Sequence, residues 1–197
     1  MITDIYSLSK AINDDNVINI DAERFYREAE DYFFYFDRQD LAVKKLKAAL
    51  KLEPNNIKCL KMLGDIYYTT GKMNNAFDYY SQAAALKPDS AMLFSSLATV
   101  CEALNKDSLA LGFINLAFTN YTNKDFKIYA QMCDLKISLL VKMQKYGEAK
   151  RFLDKVQKVL PFEEAQKVTA SSHSEFLKKK LALKEKMDSL HIQVVVV

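Results

Sequence analysis

Residues 57–88 read IKCLKMLGDIYYTTGKMNNAFDYYSQAAALKP, and two amphipathic helices with a turn between them are legible in that stretch. From Ile57 to Thr70, the residues Leu60, Leu63, Gly64 and Tyr67 recur three, four and seven apart and share one helical face. Gly71 then ends the helix, because without a Cβ it enters the left-handed conformation at no steric cost. A second helix runs from about Asn74 to Leu86 with Ala76, Tyr80 and Ala83 on one side, and Pro88 stops it. Small residues at Gly64, Ala76 and Ala83 let helix backbones approach closely, while Tyr67 and Tyr80 fill the space between helices.

The same pattern extends on both sides at a step of 34 residues. Ala42, Ala76 and Ala110 form one series, Ala49, Ala83 and Ala117 a second, and Pro54 and Pro88 a third. Phe33, Tyr67 and Cys101 keep the step, as do Leu46, Tyr80 and Ile114, and so do Asp37, Gly71 and Asn105. Asp and Asn are, after Gly, the residues most tolerant of the left-handed geometry the turn needs. A fixed period of this length predicts an array of stacked helix pairs. Ala149 and Pro161 restart the pattern five residues late, since Pro161 lies 73 residues after Pro88. The first helix of that fourth pair, from about Asp125 to Met143, is therefore expected to be longer than its predecessors.

In Leu60, Leu63, Gly64, Tyr67, Ala76, Tyr80, Ala83 and Pro88 the chain resembles the tetratricopeptide repeat family. The first repeat matches through Tyr26, Ala29, Phe33, Ala42, Leu46, Ala49 and Pro54, with Glu30 in place of the usual glycine. The third matches through Phe94, Leu97, Ala98, Cys101, Ala110, Ile114 and Ala117, with Thr122 in place of the proline. The resemblance implies an all-α, right-handed superhelical solenoid of antiparallel helix pairs. Five segments are expected: a leading or capping stretch 1–21 with Ile5, Leu8 and Ile12 at helical spacing; three repeats over 22–124; a fourth, extended pair over 125–161; a capping helix region 162–190; and an apolar tail 191–197, expected to be disordered. Ser172 and Glu175 read as a capping box opening a helix with Phe176, Leu183, Met187 and Leu190 on one side.

Composition bounds the functional class. The 197 residues are half hydrophobic, with four Gly and three Pro, which excludes extensive disorder. A net charge of +3 is too small to imply a polyanionic partner. The basic excess sits at the end: residues 142–197 hold 12 Lys and Arg against 7 Asp and Glu. The Lys178, Lys179, Lys180 cluster with Lys184 and Lys186 has Glu185 and Asp188 beside it and no interleaved aromatics, so it reads as a solvated helix face and no nucleic-acid partner is expected. Three cysteines, each inside an expected helix, do not make a disulfide framework and fit a reduced, cytoplasmic setting. The start, MITDIYSLSKAINDD, lacks the pattern of a secretory signal, and no apolar run is long enough for membrane insertion.

Nothing in the chain assembles reaction chemistry. No HExxH, paired CxxC, glycine-rich phosphate loop or GxSxG occurs, and the two histidines, His173 and His191, lie in a Ser-rich turn and near the end. Cys59, Cys101 and Cys133 come from different repeats and read as small core residues, not metal ligands. The chain is accordingly expected to be no enzyme and to carry no cofactor and no metal.

The family resemblance places one face of each first helix in a concave groove. On it fall Arg24, Arg27, Asp31, Phe34 and Tyr35 from the first repeat, Lys58, Lys61, Asp65 and Tyr68 from the second, and Met92, Ser95 and Thr99 from the third, with Thr69 and Glu102 alongside. Phe33 and Phe36 are read as core. The expected function is a protein interaction module or scaffold, with the bases meeting acidic groups of a peptide segment and Phe34, Tyr35 and Tyr68 packing on its side chains. The plainer alternative is a solvated helix face on which Arg27 pairs with Asp31 and Lys61 with Asp65. A carboxylate clamp like that of heat-shock co-chaperones of this family is not expected, because its places are held by Arg27, Asp31, Met62, Met92 and Ser96. Two further readings stay open: a small secretion chaperone holding an apolar client and forming a homodimer through residues 1–21, and a structural subunit docked through its terminal helices.

Overall fold

The computed structural model describes residues 19–122 and 126–159 and the positions 166, 174, 175, 178, 179, 181 and 182. They belong to two compact units, one ending at Pro88 and the other beginning at Asp89. Among the described residues every regular element is an α-helix.

The first unit holds α1 (Ile20–Phe34), α2 (Gln39–Leu52), α3 (Ile57–Thr69) and α4 (Met73–Leu86). α1 packs on α2, α3 on α4, and α3 also on α2. Ala22, Ala29, Ala42, Leu46, Ala49, Cys59, Met62, Leu63 and Ile66 form one buried cluster, so the residues that keep the 34-residue step are largely those that meet in the core. α1 starts at Ile20, inside the stretch 1–21 assigned to a leading segment. The reason is Asn19, whose side chain accepts from the N–H groups of Asp21 and Ala22 and caps the helix. Asn56 caps α3 in the same way through the Cys59 N–H. Glu53 ties the two starts together: one oxygen accepts the Asn19 N–H at 2.8 Å and the other accepts from Asn56 Nδ2 at 2.7 Å.

Gly64 lies directly against the ring of Tyr80. A Cβ there would lie 2.5 Å from Cε1 of Tyr80, whose ring is buried and whose hydroxyl donates to Asp65 Oδ1 at 2.6 Å. The small residue is therefore required by the ring opposite it.

The second unit holds α5 (Ala91–Ala103), α6 (Asp107–Thr119), α7 (Phe126–Lys142) and α8 (Tyr146–Val159). Ser90 caps α5 through the Leu93 N–H. Cys133, Ile137, Leu140, Ala149, Leu153 and Val156 lie at the centre of its core. Beside them Phe118 meets Tyr129 and Phe152 edge-on, and the Lys136 ammonium stands 4.5 Å from the Phe152 ring centre and 5.2 Å from that of Phe118. Burial in this aromatic setting lowers the Lys136 pKa below the ordinary lysine value.

One turn recurs in both units. Asp37, Gly71, Asn105 and Gln144 have φ of 50°, 75°, 57° and 59°. The next residue in each case donates its N–H back across the turn at 2.8 Å: Arg38 to Tyr32, Lys72 to Tyr67, Lys106 to Cys101 and Lys145 to Leu140. The last three bonds span five residues and are the six-to-one bond of a Schellman motif, whereas the Arg38 bond spans six and closes a turn one residue wider. The sequence pattern points to the first three positions. Gln144 is the fourth and lies 39 residues after Asn105, and α7, with 17 residues against 13 in α5, takes up four of the five extra residues. Glutamine is poorly suited to this geometry. Gln144→Gly is expected to raise unfolding stability by about 0.5–1 kcal/mol, read as a higher urea midpoint at unchanged slope.

Candidate functional site

Helical spacing puts Arg24, Arg27, Asp31 and Phe34 on one row of α1, with Tyr35 at its C-cap, and Lys58, Lys61, Asp65 and Tyr68 on the matching row of α3. These nine candidates lie in the first unit. Met92, Ser95 and Thr99 lie on α5 in the second.

Three of the four candidate bases, Arg24, Arg27 and Lys61, are engaged with neighbours on their own helices. Arg24 reaches Asp21 at 3.0 Å and Glu28 at 3.8 Å, Arg27 Nε reaches Glu23 at 3.2 Å, and Lys61 Nζ donates to Asp65 Oδ2 at 2.7 Å. The Lys61–Asp65 pair is the one expected for a solvated face. Arg27, however, turns to Glu23 and not to Asp31. An acid four residues before a base is the favourable order on a helix, which explains the choice. Such exposed pairs are worth about 0.2–1 kcal/mol each, little enough for an incoming carboxylate to compete for the base. Lys58 stands apart from them, with Nζ 6.0 Å from the centre of the Tyr26 ring. Burial, then a hydrogen bond with Glu30, raises the Tyr26 pKa far above the ordinary phenol value. Glu30, at the place the repeat pattern gives to glycine, thus has a local partner.

The aromatic groups are less engaged. Phe34 is 68% exposed and Tyr35 80%. Phe36, read from sequence as core, is 64% exposed. The helix ends at Phe34 and the chain turns through Asp37, so Phe36 has left the buried face, and its ring leans on Tyr32 at 6.2 Å. Phe33 is half-buried and supports Phe34 edge-on at 5.0 Å. Next to this group lies an open recess of about 540 Å³ lined by Glu28, Asp31, Tyr32, Phe36, Arg38 and Leu41. Apart from Asp31 its lining was not among the candidates. The signal for it is the register, since Glu28 and Tyr32 occupy the places held by Met62 and Ile66 one repeat later.

In the second unit Met92 is exposed, Ser95 and Thr99 are half-buried, and the Thr99 hydroxyl donates to the Ser95 carbonyl at 3.0 Å. Glu102 accepts from the Ser138 hydroxyl at 2.9 Å and so ties α5 to α7. This face is uncharged at the three candidate positions and has one large apolar group, Met92.

Among the described residues no group of three or more His, Cys, Asp and Glu is placed to hold a metal ion, and no helix is long and apolar enough to cross a membrane. The three thiols are buried, and burial raises all three pKa values, those of Cys59 and Cys133 to about 12. His173, His191, Lys180, Lys184, Lys186, Ser172, Phe176, Leu183, Met187, Leu190, the tail 191–197 and the apolar positions Ile5, Leu8 and Ile12 lie outside the described residues.

No protein-family model and no curated protein sequence matches the chain. Solved structures do. A tetratricopeptide repeat protein from Parabacteroides merdae is similar at a TM-score of 0.66 and 21% identity, over 85% of this chain and 68% of that one. MamA is similar at 0.63 and 18%, over 89% and 98%. PilF from Pseudomonas aeruginosa is similar at 0.60 and 16%, over 81% and 82%. At such identities the likeness is one of fold, and the fold is that of tetratricopeptide repeat proteins.

Proposed function

We propose that the protein is a non-enzymatic interaction module of the cytoplasm that holds a peptide segment of another protein along the α1 and α3 row of its first unit. The observation that carries this reading is the exposure of Phe34 and Tyr35 at the end of α1, on the same row as Arg24, Arg27, Lys58 and Lys61. A solvated helix face has no need of two large adjacent rings, and exposed aromatics beside basic groups are the usual anchors of a protein contact. The weak helix-neighbour pairs of Arg27 and Lys61 hold those bases extended without neutralising them permanently. A ligand with an apolar side chain for Phe34, Tyr35 and Tyr68 and an acidic group for Lys58 fits this arrangement. Met92, Ser95 and Thr99 offer a separate, uncharged surface for an apolar stretch.

The test compares the intact protein with a Phe34→Ala, Tyr35→Ala, Lys58→Glu variant. All three side chains are exposed, so circular dichroism should show both proteins folded. A partner captured from native lysate by the intact protein should bind the variant about 10- to 100-fold more weakly by calorimetry. Equal retention would remove the α1 and α3 row as the site.

A further inference from the structure

In the second unit α6 is apolar on two sides. Ala110, Ile114 and Ala117 are buried in the core, yet Leu109 and Leu116 are 44% and 45% exposed. Gly112 and Phe113 lie between those leucines on the same helical row, Gly112 exposed and Phe113 half-buried with its ring stacked on Phe94. No charged residue occurs from Ser108 to Asn120. In the other repeats the same row carries charge: Lys44 and Lys45 on α2, Asp78 on α4, and Glu148, Arg151 and Lys155 on α8. A helix with apolar groups on both sides has a second surface to cover.

Gly112 is an independent sign of the same thing. A Cβ there would meet nothing within 4 Å, whereas one at Gly64 would strike Tyr80. Packing inside the unit therefore gives no reason for glycine at this place, and glycine weakens α6 relative to alanine. What a bare position on an exposed row supplies is room for a second backbone to come close.

We propose that α6 docks on α6 of a second copy of this chain, antiparallel, about a two-fold axis at Gly112. The spacing carries the choice of occupant. Leu109 precedes Gly112 by three residues and Leu116 follows Phe113 by three, so the row reads the same in both directions. Turned end over end it meets itself, with Leu109 of each copy on Leu116 of the other, which is the self-complementarity an isologous contact requires. An uncharged face also sets no like charges against each other. At its margin the Thr119 hydroxyl donates to the Asn115 carbonyl at 3.1 Å and the Asn120 amide to the Leu116 carbonyl at 3.0 Å, so both donors keep a partner when covered. One helix face per copy covers less than the roughly 800 Å² per partner of a stable interface, so the dimer is a reversible one.

Sedimentation of the full chain should show the mean mass rising from that of one chain toward that of two as concentration increases through the micromolar range. Gly112→Arg should fold as the parent by circular dichroism, since the position is open, and should weaken the dimer about tenfold or more. Leu116→Glu, also at an exposed place, is the second variant and should do the same. The pairing is read by oxidative cross-linking, which the three buried native thiols leave undisturbed. A mixture of Leu109→Cys and Leu116→Cys chains should give the mixed disulfide well beyond its statistical share over either homodimer. A chain that stays monomeric throughout would overturn the proposal and leave the face to a different protein. So would a dimer that both variants leave at full strength, which moves the contact elsewhere. Cross-linking with no preference for the mixed pair would overturn it too, because it excludes the antiparallel arrangement.

Discussion

Gly64→Ala is expected to lower unfolding stability by about 2 kcal/mol, even though alanine is the better helix former by about 1 kcal/mol. The new methyl group would stand 2.5 to 2.9 Å from three atoms of the Tyr80 ring. The ring cannot swing aside cheaply, because it is buried and its hydroxyl is held by Asp65 on the very next residue of α3. The chain contains its own controls. The pair equivalent to Gly64 and Tyr80 is Glu30 and Leu46 in the first repeat, Ala98 and Ile114 in the third, and Ile137 and Leu153 in the fourth. Glycine stands only where the partner is tyrosine. Adding Tyr80→Leu to Gly64→Ala should therefore recover part of the loss, so that urea unfolding of the four proteins of the cycle gives a favourable coupling of about 1 kcal/mol or more. Strictly additive effects would mean that the ring and the glycine are not the pair that sets this contact.

The second large effect is on thiol chemistry. At pH 8 a group with a pKa of about 12 is a thiolate about a thousandfold less often than one at the ordinary value near 9, and Cys59 and Cys133 are both in that position. Cys101 shifts in the same direction through burial. All three thiols should thus react with an aromatic disulfide reagent orders of magnitude more slowly in native buffer than in denaturant. A single fast thiol would locate a helix that opens without global unfolding. The same shifts fix a pH dependence. Folding favours the protonated thiols, so their contribution is fully present below about pH 9 and is lost as the pH rises from there toward 12. Alkaline unfolding midpoints should fall accordingly, and a Cys133→Ala variant should show a shallower fall.

How far this could be read in the sequence depends on whether a position acts through its own helix or through a neighbour. Ala42, Ala49, Ala76, Ala83, Leu46 and Leu63 all recur at the 34-residue step or sit on the helical row it defines, and all are buried. Their periodicity is a direct imprint of packing. Gln144 breaks the composition rule for left-handed turns and sits after a register shift, so neither signal marks it. Phe36 looks like core because helical spacing was extended past the point where the helix ends. Arg27 pairs with Glu23 because of the order of charges on the helix, which the Arg27–Asp31 spacing hides. Glu53, which joins the starts of α1 and α3, carries no motif at all: its role arises from the end of α2 meeting both Asn19 and Asn56. The recess beside Phe36 was illegible for the same reason, since its lining comes from α1, the turn after it and the start of α2.

The left-handed turn recurs in both units across a glycine, an asparagine and a glutamine with the same six-to-one bond, and across Asp37 with a bond one residue wider. Helix length varies around it while the backbone bond that closes it stays at 2.8 Å. Each turn thus works as a splice joint. Whatever number of residues a first helix contains, the chain leaves the joint on the same heading. Residues added or removed ahead of position 71, 105 or 144 in whole helical turns should alter the reach of one helix and leave the helix that follows it in place, which makes these three positions the natural borders for lengthening, shortening or exchanging repeats in this chain.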